Sequence, residues 1–374
     1  EDARRDSTWV YWKARALLAG RHVSDAERTQ AHQLLESIAG PQGFYEQLAL
    51  EELGQRVSVP PAPAPLTPEE KAAARANAAL QRSLYAIALG LRGEGVREWN
   101  YATNLHTPGG MGERELLAAA DLACEREVWD RCIHAGDRTK AEIDLALRYP
   151  TPLRSQVVEQ SRQTGIDPAY VYGLIRQESR FIMDARSHVG ASGLMQLMPA
   201  TASATARKLG IAYSPALITD RELNLRLGTA YLKSALDEFD GAQALAAAAY
   251  NAGPGRPRRW REGQTIDAAA WVESIPFAET RDYVKKVLAN ANVYALRLAS
   301  TPASIRTRLG AVVGPAPVQP PASSAPPAGA ALGAGSSDRP GASASLIPPD
   351  APPGAGPSSG PTTGSIAGPI AVPS

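Results

Sequence analysis

Glu178 is the side chain best placed to do chemistry. Val171, Leu174 and Ile175 precede it at spacings that put all four residues on one face of a short helix. Asp167 and Pro168 start that helix, the Asp as N-cap and the Pro at the first helical position. A carboxylate on an apolar face is costly unless it neutralises or finds a partner. Desolvation raises its pKa, and a carboxyl still protonated near neutral pH can serve as a general acid. The competing reading, which periodicity alone favours, is a structural Glu held by an arginine or by backbone donors.

Other residues have the chemistry of ligand contacts. Gly190 and Gly193 allow a tight backbone and close ligand approach, and Met195, Gln196 and Met198 follow before Pro199. A glutamine donates and accepts hydrogen bonds, and methionine is an adaptable apolar surface. Both suit a ligand with one apolar face and an amide; Met195 is read as core. Ala246 to Ala249 is a run of small residues that lets a helix approach its neighbour, and Gly253-Pro254 ends it. Tyr250 and Asn251 therefore project from a helix end. The Tyr250 hydroxyl supports a bound ligand, orients Glu178, or is a buried phenol satisfied by backbone. Glu279 follows Pro276-Phe277, and Arg281 and Lys285 miss the i+3 and i+4 positions of a local ion pair. Arg256, Arg258, Arg259 and Arg261 form a basic cluster, either a solvated face or a contact for anionic groups.

These residues need a scaffold, and the chain of 374 residues has room for two or three domains. Residues 1–58 read as helical hairpins. Trp9, Tyr11, Ala14, Leu17 and Leu18 make one apolar face; Ala31, Leu34, Leu35 and Ile38 make another, behind a Ser24–Glu27 capping box; Phe44 to Leu53 is a third helix. Pro60 to Pro65 breaks the pattern. Thr67 and Glu70 form a second capping box around Pro68, and an Ala/Leu-rich helical stretch runs to about Leu91. Further helical pairs fill Glu113 to Tyr149. Residues 59–150 thus read as a helical linker domain, and repeated amphipathic pairs predict an α-solenoid. Residues 151–302 change character, with glycines and turns between helices, and predict a compact, mainly helical domain whose Gly190–Gly193 stretch is a loop or small β-element. Residues 303–374 are Pro, Ala, Gly and Ser with few charges, a composition that predicts disorder.

A net charge of +1 gives no sign of a nucleic-acid partner. No apolar run is long enough to span a membrane. The chain starts at Glu1, inside helical periodicity and without a signal-peptide pattern, and reads as a processed or truncated product. Cys124 and Cys132 flank a helix–turn–helix junction around Glu127 to Asp130; they either close a small loop in an oxidising compartment or remain two separate thiols. The five histidines are scattered without an HExxH or CxxC pattern, so neither a metal nor a cofactor is expected.

Four segments taken together, Glu178-Ser179, Gly193 to Pro199, Ala249 to Gly253 and Glu273 to Arg281, resemble the catalytic domain of the soluble lytic murein transglycosylases. These are goose-lysozyme-like enzymes that cleave bacterial cell-wall glycan. The resemblance covers roughly Leu153 to Leu298, and the helical part before it resembles the end of that family's superhelix and its linker. Where the family usually has an Asn-Pro turn after Glu-Ser, this chain has Ile182 and Met183. The resemblance implies a mainly α fold, a superhelical segment followed by a lysozyme-like domain. It implies Glu178 as sole acid and base, with Ser179, Gln196, Met198, Tyr250, Asn251 and Glu279 toward substrate. The implied reaction closes a 1,6-anhydro ring on N-acetylmuramic acid without water. It further implies peptidoglycan strands as substrate, other cell-wall enzymes as partners of a monomer, and the periplasm as compartment. Two rivals remain open. A lysozyme-like hydrolase needs a second carboxylate, for which Asp184 and Glu279 are the nearby candidates. An inactive glycan-binding scaffold needs none.

Overall fold

The computed structural model describes residues 6–105, 108–299 and 304–316. The chain is mainly helical. Helices α1 (Ser7–Leu18), α2 (Asp25–Ile38) and α3 (Phe44–Glu52) come first. Asp6 caps α1 by accepting from the Thr8 and Trp9 amides. Both predicted capping boxes form, Ser24 with Glu27 on α2 and Thr67 with Glu70 on α4 (Pro68–Ala76). The α1 face differs from expectation: Val10, Tyr11 and Ala14 are buried, while Trp9 is 66% exposed.

The long helix expected to about Leu91 is broken. Asn77 leaves the helical region, and its side chain accepts from the Ala79 and Leu80 amides to cap a new helix, α5 (Ala78–Ala88). An N-cap of this kind satisfies amides that the preceding helix cannot reach. Then follow α6 (Arg92–Asn104), α7 (Glu113–Glu125), α8 (Trp129–Gly136) and the single turn α9 (Leu145–Arg148). Helices α4 to α8 share a core of their own around Leu80, Trp99, Leu117 and Ala119. Cys124 and Cys132 are disulfide-bonded across the α7–α8 turn, with Cα atoms 5.2 Å apart.

The last part of the chain contains α10 (Arg154–Thr164), α11 (Pro168–Glu178), α12 (Pro199–Lys208), α13 (Arg221–Glu238), α14 (Gln243–Ala252), α15 (Gly255–Trp260), α16 (Ala268–Ser274), α17 (Ala278–Ala299) and α18 (Ile305–Leu309). Its main axis is the pair α11 and α17. Gly173 lets their backbones meet: a Cβ there would lie 2.7 Å from the Ala291 nitrogen and 2.8 Å from the Val287 carbonyl oxygen. The Ala246–Ala249 run on α14 is almost wholly buried, as small packing residues should be. Between α11 and α12 the chain makes only isolated bridges, Arg186 with Ser192 and Ser192 with Leu197.

The first three helices share the core of this last part. Gln47 on α3 is fully buried; its amide donates to the Ala289 carbonyl at 3.1 Å, and its oxygen accepts from Asn292 at 3.0 Å. The expected disorder from residue 303 is corrected for the residues nearest the helical body. Ile305, Leu309 and Val313 are buried, Ser304 caps α18, and β2 (Val312–Val313) pairs antiparallel with β1 (Ile266–Asp267). Apolar residues four apart anchor this piece despite the composition around it. The rest of the stretch expected to be disordered lies outside the described residues. Among the described residues no helix is long and apolar enough to cross a membrane.

Candidate active site

Asp167 caps α11 by accepting from the Ala169 amide, with Pro168 at the first position. Val171, Leu174 and Ile175 are completely buried, and Glu178 follows on their face at the last residue of the helix, half-buried. No cation pairs with its carboxylate among the described residues. Its one recorded partner is Tyr283 on α17, whose hydroxyl donates to Glu178 Oε1 at 2.5 Å. Burial is the largest influence on this carboxyl. The Tyr283 hydrogen bond opposes it, the charge of Glu279 reinforces it, and the pKa is raised to about 8. The structural reading of Glu178, a carboxylate held by an arginine or by backbone donors, therefore does not describe this geometry among the described residues.

Burial followed by the Glu178 charge holds the Tyr283 phenol well above its ordinary pKa, so its proton stays on oxygen at neutral pH. The hydrogen bond favours the ionised carboxylate while burial favours the neutral acid. Such a group can be protonated at rest and still tolerate losing its proton. Tyr283→Phe should raise the Glu178 pKa by roughly one to two units, by the size of a charge-assisted hydrogen bond. Carbon NMR titration of the Glu178 carboxyl measures this; an unchanged or lowered value would break the account.

Several expected site residues cluster here, though not all in the expected way. The Tyr250 hydroxyl donates to the Met195 carbonyl at 2.8 Å, so of the three readings the phenol bonded to backbone is the one seen. Tyr250 is still close enough for the Glu178 charge to add to the effect of burial on its own pKa. Ser179, expected to face substrate, is 6% exposed, donates to the Leu194 carbonyl at 2.7 Å and accepts from the Phe181 amide. It ties the turn after the acid to the glycine loop. That turn puts Arg180 and Phe181 in the left-handed region, with φ of 48° and 65°, just before Ile182 and Met183.

Gln196 also sits in the left-handed region, at φ 46°, and its amide nitrogen donates to the carbonyls of Gly193 and Ala185. Among the described residues its carbonyl oxygen has no hydrogen-bond donor. Met198 is 42% exposed, whereas Met195 is fully buried. Asn251 accepts from Thr280 Oγ1 at 2.7 Å, which links the end of α14 to the start of α17. Glu279 is exposed, one helical turn before Tyr283 and on the same face.

Two positioning residues escaped the sequence reading. Tyr283 reads as an ordinary core aromatic, and only the i+4 step from Glu279 hints that it faces the site. Asn224, on α13, is 1% exposed and holds the glycine loop: it accepts from the Met195 amide and donates to the Ser192 and Ile218 carbonyls. The loop can approach it because Gly193 has no Cβ; one there would lie 2.6 Å from Asn224 Cγ, at a φ of +81°. Glu273 carries an ion pair with Lys285 at 2.8 Å and accepts from Tyr45, which docks α3 against the same end of α17.

Comparison with known proteins gives a consistent picture. Residues 156–270 match the transglycosylase SLT domain, and residues 274–302 match the soluble lytic transglycosylase helical domain. The soluble lytic murein transglycosylase of Salmonella typhimurium is 35% identical over 301 residues, 77% of this chain and 43% of that protein. The Escherichia coli protein of the same description is 33% identical over 305 residues, 80% of this chain and 45% of its own length. Among solved structures, an inactive Glu-to-Gln mutant of the lytic transglycosylase Slt from Pseudomonas aeruginosa superimposes with a TM-score of 0.70 at 35% identity, covering 82% of this chain and 48% of the other. The 70-kDa soluble lytic transglycosylase of E. coli superimposes with a TM-score of 0.66 at 30% identity, covering 80% and 47%. The chain thus spans a little under half the length of these relatives.

Proposed function

Because the chain belongs to the family of soluble lytic transglycosylases, we propose that it cleaves the β-1,4 bond between N-acetylmuramic acid and N-acetylglucosamine in peptidoglycan, leaving a 1,6-anhydro end. The observation that carries this is Glu178: half-buried beside Tyr283, unpaired by any described cation, and with its pKa raised to about 8. Protonated, it donates to the oxygen that leaves with N-acetylglucosamine. The N-acetyl carbonyl of the muramic acid stabilises the charge growing at C1. Glu178, now ionised and favoured by the Tyr283 hydrogen bond, takes the proton from the C6 hydroxyl as that oxygen attacks C1. Proton and bond counts close without water, and one carboxyl serves twice. Intramolecular attack adds an effective molarity that reaches ~10⁵ M or more.

Gln196, Met198, Asn251 and Glu279 are the residues proposed to face the glycan. Tyr250 and Ser179 hold the loop that presents them. On this reading residues 151–302 are the catalytic domain, residues 1–58 the end of a superhelix, and residues 59–150 the linker. The substrate lies outside the cytoplasmic membrane, so the place of action is the periplasm. That a Glu-to-Gln exchange accompanies inactivity in the P. aeruginosa relative supports an acid of this kind.

The test is mass spectrometry of the soluble products from purified sacculi. Muropeptides with anhydro ends, lighter by one water than hydrolysis products, are expected. Reducing ends would make the protein a hydrolase and require a second carboxylate, of which Glu279 is nearest in the charge balance of Glu178. No products from active-site-intact protein would favour a binding scaffold.

A further inference from the structure

Arg176 is the basic residue in the last turn of α11, two positions before Glu178. Among the described residues, its guanidinium is held entirely from the stretch between α8 and α10. Nη2 donates to Asp137 Oδ1 and Oδ2, each at 3.0 Å, and to the Arg148 carbonyl at 3.1 Å. Nε donates to the same carbonyl at 3.3 Å. The guanidinium carbon lies 4.4 Å from the centre of the Tyr149 ring, and the side chain is 11% exposed. An exposed ion pair does little to fix an element in place. A guanidinium gripped by a carboxylate, a carbonyl and a ring face, and largely out of water, is a stiffer anchor.

Local structure gives no reason for an acidic residue at Asp137. It is the C-cap of α8, and a carboxylate at a helix C-terminus opposes the helix dipole. Its partner on α11 supplies the reason. Asp137 is presented from a fixed base, since α8 carries Cys132 of the disulfide to α7. Tyr149, under Arg176, packs edge-on against Tyr294 of α17 at 5.4 Å, and Tyr172 of α11 stacks on the same Tyr294 at 5.0 Å. The contact thus reaches both helices that carry the Glu178–Tyr283 hydrogen bond. Glu178 stands two residues beyond Arg176, about 3 Å along the axis and roughly 200° around it. Arg176 therefore faces the seam, and Glu178 the other side of the same turn. Helix ends fray unless their last turn is tied, and Glu178 is the last residue of α11.

We infer that Arg176 is a positioning residue: docked on Asp137, Arg148 and Tyr149, it holds the end of α11 so that Glu178 stays against Tyr283, and the stretch proposed as a linker thereby sets the geometry of the acid. The inference rests on Glu178 being the acid, as proposed above. Tyr283 and Glu279 on α17 and Tyr250 on α14 are the titratable groups coupled to the Glu178 carboxyl. Arg176 is not among the influences on that carboxyl, so it acts through position rather than charge.

The experiment measures the Glu178 pKa by carbon NMR titration, together with kcat, KM and the pH profile of kcat/KM on purified glycan strands, in Arg176→Met, Arg176→Lys and Asp137→Asn. Loosening the end of α11 admits water to Glu178, so in Arg176→Met its pKa should fall from about 8 by about one unit, part of what burial contributes. The alkaline limb of kcat/KM, which reports the free enzyme, should move down with it. Turnover should drop roughly tenfold to a hundredfold with KM within about twofold, the cost of a displacement on the order of 1 Å. Asp137→Asn should shift both readouts the same way by less, and it decides alone if Arg176→Met does not fold. Arg176→Lys, which keeps a cation over Tyr149 and a donor for Asp137, should recover part of the loss. Arg162→Met on α10, where the arginine is 73% exposed and pairs with Glu159 one turn away, should change neither readout. An unmoved Glu178 pKa with only the melting temperature lowered would make the contact purely structural and overturn the inference. A raised pKa would overturn it too, since Arg176 would then act by charge. The parent reading fails separately: a native protein that releases no anhydro ends removes it, while the NMR titration still decides whether Arg176 places Glu178.

Discussion

Glu178→Gln should fold, retain glycan binding and lose on the order of 10²–10⁴ in turnover, the usual size of a general acid–base contribution. The substitution keeps the shape and one oxygen for the Tyr283 hydroxyl, so binding surfaces are preserved. On the proposed mechanism it removes the proton that leaves with the glycosidic oxygen and the base that recovers one from C6. The same variant should be more stable than the native chain at neutral and alkaline pH. Burial raises the Glu178 pKa from its ordinary value of about 4.5 to about 8, so the folded protein holds a proton that the unfolded chain releases in that window. The native chain therefore loses stability as pH climbs from about 4.5 to about 8, whereas glutamine does not titrate. The difference in melting temperature should be near zero at low pH, grow across that window, and level off above it. Normal turnover in Glu178→Gln would remove the residue from the chemistry. A pH-independent difference in melting temperature would contradict the raised pKa.

The apolar face that carries Glu178 was readable from sequence because helix periodicity is short-range: residues three, four and seven positions before Glu178 define it without any knowledge of the fold, whereas the proposed acid role came from the four segments taken together. The partner of Glu178 was not readable. Tyr283 lies 105 residues away and meets Glu178 only because α11 packs on α17. A tyrosine on a helix face is compatible with plain core packing, so no local pattern separates the two roles. The same limit explains Tyr250 and Ser179. Their types allowed contact with a ligand, but the backbone carbonyls of Met195 and Leu194 that accept their protons are set by the glycine loop folding over both. Composition failed in another way at the C-terminal side, where averaging over a Pro/Ala/Gly-rich stretch hid Ile305, Leu309 and Val313, whose spacing is enough to anchor α18 and β2. The break at Asn77 carried a readable signal, a cap residue inside an alanine-rich run, whose strong helix propensity masked it.

Gly173→Ala should lower stability by about 1–3 kcal/mol, the range for overpacking a core, and should reduce turnover more than that loss explains. Alanine is the better helix former by up to about 1 kcal/mol, so propensity alone predicts the opposite sign. Packing decides. The added Cβ would lie 2.7 Å from the Ala291 nitrogen, 2.8 Å from the Val287 oxygen and 2.9 Å from the Ala291 Cα, all of them backbone atoms that no rotamer change can move away. Helices α11 and α17 must separate, and each carries one half of the Glu178–Tyr283 hydrogen bond. A displacement on the order of 1 Å at a reacting group can cost about 10²-fold. Thermal unfolding and kcat under folded conditions measure the two effects separately. Gly93→Ala supplies the control, because its Cβ would meet only an Arg97 side-chain nitrogen at 3.8 Å; there the helix propensity of alanine should prevail and the melting temperature should rise slightly. If Gly173→Ala behaved like Gly93→Ala, the close approach of α11 to α17 would not be what sets the geometry of the acid.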